Sequence, residues 1–144
     1  MKQHSLFSKF VSWLASPEVF GNVSKSLVGT WFLFEYYMDE REELVHMREF
    51  DLQREKQQVV ITFFDDEFEV NAHISVPLVA RLKKGRWSVA KNFITFIDPE
   101  NFRNNVEFQF AFEKGNIKLL KKDERGMIEF FGFFKPAVDA QKSN

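Results

Sequence analysis

Phe108-Gln109-Phe110-Ala111-Phe112 sets three aromatic rings two residues apart, and Phe68-Glu69-Val70-Asn71-Ala72-His73-Ile74 repeats the alternation with Glu69, Asn71 and His73 between the apolar positions. A period of two is that of a β-strand with one dry and one wet face. Outward from these two stretches the same pattern recurs, and 19 of the 144 residues are phenylalanine. The chain therefore reads as a small all-β body with a bulky aromatic interior.

Strands are expected near 29–38, 43–52, 57–64, 67–75, 81–90, 92–98, 105–113, 116–122 and 126–135. Turn residues separate them at Asp65-Asp66, Ala90-Lys91-Asn92, Lys114-Gly115-Asn116 and Glu124-Arg125-Gly126. Short connections between successive strands make antiparallel neighbours, an up-and-down meander. About eight or nine such strands close into a barrel, which removes exposed edges. Ahead of them, Leu6, Phe7, Phe10, Val11, Trp13 and Leu14 recur at three and four, the spacing of an amphipathic helix, and Ser16-Pro17 ends it. The division is an N-terminal helical segment over 1–26 that docks on the barrel, the barrel over 27–135, and a polar tail over 136–144.

Composition excludes several functions. Net charge is −1, so no strong field draws the chain to nucleic acid or to an anionic membrane. With no cysteine there is no disulfide, thiolate nucleophile, zinc–cysteine site or lipidated cysteine. No apolar run approaches the ~20 residues of a membrane span. The first 16 residues lack the apolar core and small-residue cleavage site of a signal peptide, which favours the cytoplasm. His4, His46 and His73 are scattered without metal-ligand spacing. The acids Asp39-Glu40, Glu42-Glu43, Asp65-Asp66, Asp98 and Glu100 fall at turns with no cue for a matched acid–base pair. No nucleophile elbow, phosphate loop or dinucleotide fingerprint is present. We expect no enzyme, no cofactor and no metal.

Leu27-Val28-Gly29-Thr30-Trp31 opens the first strand directly after the helical segment, and here the chain resembles the lipocalins of the calycin superfamily. The order Phe63-Phe64-Asp65-Asp66-Glu67-Phe68, Gly85-Arg86-Trp87-Ser88-Val89 and Asn92-Phe93-Ile94-Thr95-Phe96 is similar to that of small bacterial lipocalin-like domains. The resemblance implies that Gly29 and Trp31 sit at the closed end of the barrel. It implies too that a basic residue on the last strand, Lys135, lies across the Trp31 indole. It further implies a small hydrophobic ligand inside, with Phe68, Trp87, Phe108, Phe110 and Phe112 turned toward it.

Rings of this bulk either fill a barrel or leave room for one ligand. The alternative function is thus a filled barrel that serves interaction or oligomerisation. Trp31-Phe32-Leu33-Phe34 and Phe130-Phe131-Gly132-Phe133-Phe134 are apolar on both faces, more than a barrel strand needs. The excess is to be covered by the N-terminal helix, by a second subunit in a homodimer through the outer wall, or by both.

Overall fold

The computed structural model describes residues 23–137. The expected helix at 6–14 and the end of the polar tail lie outside the described residues. Short helix α1 (Val23–Leu27) leads into β1 (Gly29–Glu40), followed by β2 (Glu43–Met47), α2 (Glu49–Arg54), β3 (Gln58–Phe63) and β4 (Glu67–His73). Then come α3 (Pro77–Ala80), β5 (Lys84–Ala90), β6 (Phe93–Ile97), a 3-10 turn (Phe102–Asn104), β7 (Val106–Glu113), β8 (Asn116–Lys122) and β9 (Ile128–Pro136).

All strand pairs are antiparallel, and β3 to β9 follow one another in chain order. β1 closes the ring. One edge of it pairs with β3 through Gly29 to Phe32, and the other with β9 from Trp31↔Pro136 to Tyr37↔Phe131. Eight strands thus make a closed barrel, with β2 as an extra strand folded back on the far half of β1, from Tyr36↔Met47 to Glu40↔Glu43. Because β1 gives the same edge to β3 first and β2 later, the wall has a seam between β1 and β3 beyond Phe32. Helix α2 covers that seam, with Leu52 buried in the main core.

Two expected strands are corrected. The stretch 43–52 is a strand only to Met47 and then turns into α2. Asp51 accepts a hydrogen bond from the Arg48 backbone N–H at 3.0 Å, and Glu49 and Asp51 place negative charge in the first turn, both of which start a helix. The strand expected from residue 81 begins at Lys84 instead, after α3. Pro77 stands at the first position of that helix, where its missing N–H costs nothing. Leu78, Val79 and Leu82 are buried around it in the main core. The connection from β4 to β5 is therefore a helical crossing and not a tight hairpin.

Candidate functional site: the aromatic interior

Strand parity puts one face of every strand into the barrel. On β7 the inward set is Val106, Phe108 and Phe110; on β8 it is Ile117 and Leu119; on β9, Phe130 and Phe134. Across the interior the rings touch one another in series. Phe63 meets Trp87 at 4.9 Å between centroids and Phe96 at 5.7 Å, and Phe68 meets Phe96 edge-on at 4.8 Å. Phe96 continues to Phe108 at 5.5 Å, Phe108 to Phe130 at 6.3 Å, and Phe130 to Tyr36 at 5.6 Å. Several are T-shaped, the arrangement favoured by the ring quadrupole. Among the described residues, every side chain in the buried set is apolar or aromatic.

Of the five residues expected to face a ligand, Phe68, Trp87, Phe108 and Phe110 are buried in this cluster, and Phe112 packs at its border. Trp87 is fixed by a hydrogen bond, its Nε1–H donating to the Phe64 carbonyl at 2.9 Å. Sequence reasoning did not single out Tyr36, Phe63, Phe96 or Phe130, which complete the series. Phe63 and Phe96 stand in strands whose alternation was legible. Tyr36 follows an irregular register between Leu33 and Glu35, which breaks the parity count.

The end of the barrel where β1 begins is capped by α1. Leu27 is buried, and its carbonyl accepts a hydrogen bond from Trp31 Nε1–H at 2.8 Å. Gly29 has φ +134°, a left-handed conformation that suits glycine, at the joint between helix and strand. A helical entry, Gly-x-Trp on strand one and a closed antiparallel barrel now stand together. This closed eight-stranded barrel is the fold that the lipocalin resemblance implies.

One feature of the resemblance is corrected in it. Lys135 does not lie across Trp31. The register pairs Lys135 with Phe32, and Trp31 with Pro136, so Lys135 is on the outer face while Trp31 points inward. The Lys135 ammonium sits 5.7 Å from the Phe34 ring centroid and 2.9 Å from Glu49 on α2, and the inner neighbour of Trp31 is Phe112, at 6.5 Å.

Polar chemistry of the barrel lies at its rim and outside. A groove of about 430 Å³ runs along the seam, lined by Phe32, Leu33, Leu52, Gln57 and Lys135 among others. Gln57 there accepts a hydrogen bond from the Tyr36 hydroxyl at 2.9 Å, and burial pushes the Tyr36 pKa up to about 12. On the outer wall Glu35 meets His46 at 2.5 Å, and Tyr37 stacks on the same imidazole at 4.1 Å. After β6, Asp98 caps the 98–105 loop by accepting from the N–H groups of Glu100 and Asn101 and from the Asn104 amide, which holds its carboxyl below the usual range. No group of three or more metal-ligating side chains is found among the described residues, and no helix in them is long and apolar enough to cross a membrane.

No known family and no curated protein matches the chain by sequence. Two solved structures are similar in fold. One, a lipocalin-like protein from Bacteroides uniformis, is 18% identical over 77% of this chain and 98% of its own, at a TM-score of 0.45. The other, an uncharacterized protein from Bacteroides eggerthii, is 13% identical over 76% and 98%, also at 0.45.

Proposed function

We propose that this barrel is a non-enzymatic binding protein for one small apolar, ring-bearing molecule taken in among its phenylalanines. The observation that supports this most is the chemistry of the buried set, which is apolar and aromatic throughout the described residues. Such a wall has no charge to desolvate. It attracts a ligand through removal of apolar surface from water, at roughly 25 cal/mol per Å². A flat ligand would exchange edge-to-face contacts such as Phe96–Phe108 for contacts of the same kind with itself. The groove at the seam, apolar on Phe32, Leu33 and Leu52 and polar on Gln57 and Lys135, is the entry we assign to it.

A second reading is supported by the unbroken ring series from Trp87 to Tyr36. In it the barrel is filled and the protein works as an interaction or oligomerisation domain, through its outer surface. Native mass spectrometry beside the denatured sample separates the two. An added mass of a few hundred daltons in the native sample alone supports the ligand. Absence of added mass, with no uptake of an apolar fluorescent probe, supports the filled barrel. Phe108→Ala sharpens the comparison, because it removes a ring at the centre of the series. If the barrel is filled, the variant gains uptake of benzene-sized molecules that the parent lacks, at a stability cost of about 3–5 kcal/mol. If the barrel is a binder, the variant weakens binding of the ligand the parent already holds.

A further inference from the structure

The seam between β1 and β3 is a break in the wall as well as a groove. β1 pairs with β3 only as far as Phe32 and with β2 only from Tyr36, so Leu33, Phe34 and Glu35 have no strand partner on that edge. The break brings core side chains to the surface. Leu33 and Leu52 belong to the main core, and both line the groove beside Phe32. Its volume of about 430 Å³ falls within the range of ligand pockets, ~300–1,000 Å³.

Around these apolar side chains stand two lysines, Lys56 and Lys135, against one acid, Glu49. Lys135 is committed. Its ammonium lies 2.9 Å from the Glu49 carboxylate and 5.7 Å from the Phe34 ring centroid. Lys56, just after α2, has no acid paired with it among the described residues. Glu55, its neighbour in the chain, is engaged by Arg54 and by the Gln57 amide. Gln57 is in turn held by the Tyr36 hydroxyl and the Ser75 N–H. The side-chain amides of Gln53 and Gln58, which also line the groove, make no hydrogen bond among the described residues.

The groove therefore offers an apolar floor, one uncommitted ammonium and two amide donors. An apolar body that ends in a single negative charge matches all three. A dianion would need a second free cation, and Lys135 already has Glu49. An uncharged body would leave Lys56 to water.

We infer that the seam groove is a binding site for a small apolar monocarboxylate. The body rests on Phe32, Leu33 and Leu52, and the carboxylate meets Lys56 with Gln53 and Gln58. This site is separate from binding among the interior rings, and it stands whether the interior is open or filled.

The full chain, isotope-labelled for amide NMR, is titrated with naphthoate and with naphthylmethanol, which share a ring system and differ in charge. Naphthoate is expected to shift the amides of Leu52, Gln53, Lys56, Gln57 and Gln58, and to bind about 10-fold tighter than the alcohol. Lys56→Met removes that preference and leaves the alcohol unchanged. Glu49→Gln releases Lys135 and tightens naphthoate a few-fold, whereas a purely structural role for Glu49 would weaken it or leave it as it was. Equal binding of acid and alcohol overturns the inference, as does a preference that survives Lys56→Met. Shifts confined to Ile94, Phe108 and Phe130 place the probe among the interior rings, which supports the interior site and overturns this one. Binding of neither probe overturns it as well.

Discussion

Gly85 shows how tightly one position is specified. A Cβ built there collides with the Ile97 carbonyl oxygen on the neighbouring strand and lies 3.2 Å from the Phe68 ring. Backbone cannot yield as a side chain can, so Gly85→Ala should cost roughly 1–3 kcal/mol in urea unfolding. Tyr36 carries a different constraint. Its hydroxyl is buried against Gln57, and its pKa is pushed up from 10.0 to about 12. Between these values the unfolded chain loses the proton while the folded chain keeps it. Stability is therefore fully present below pH 10 and falls as pH rises toward 12. Tyr36→Phe should flatten this alkaline slope, at the expense of ~1 kcal/mol at neutral pH for the lost hydrogen bond. A urea series from pH 8 to about 12 checks both effects. Single-residue legibility was uneven for a physical reason. Alternation identifies the dry face of a strand, which was enough for Phe68, Phe108 and Phe110. The placement of Lys135 depends on its register against Phe32, and register is a relation between two strands that neither one contains alone.

Among the elements, α2 is the one that local pattern misreads. Leu44, His46 and Phe50 alternate well enough to extend a strand, whereas the helix is announced only by Glu49 and Asp51 in its first turn. Once it has formed, Phe50 is turned to solvent and Leu52 into the core. Leu52 is thus the fastening of the seam. Leu52→Ala should destabilise by about 2–4 kcal/mol. It should also accelerate hydrogen exchange at Gln58 and Val59, which lie on β3 beyond its pairing with β1, more than at Ile61. Uniform acceleration along β3 would mean that α2 contributes only to global stability. The strands themselves were legible because their period and turn residues agree. The helical crossing of α3 carried a signal, proline followed by apolar residues at helical spacing, that is short enough to be absorbed into a neighbouring strand.

For the molecule as a whole, consecutive hairpins announced a closed antiparallel barrel, since an open meander of this length would leave two raw edges. What the barrel encloses was not legible. Phe63, Phe96, Phe108 and Phe130 lie far apart in the chain, and whether their rings meet or stand apart depends on barrel radius and rotamers, not on any local pattern. The same holds for Ala111, Leu120 and Phe131, which cluster together from separate strands. Closure has one further consequence. Trp31 is joined to Pro136, so the strand that completes the ring is the last of the nine to leave the ribosome. Every shorter nascent chain is an unclosed ribbon, with the edge of β1 waiting for a partner not yet synthesised. The domain can thus finish folding only after translation has passed β9, and an early stop within that strand leaves a product prone to pair with its own kind.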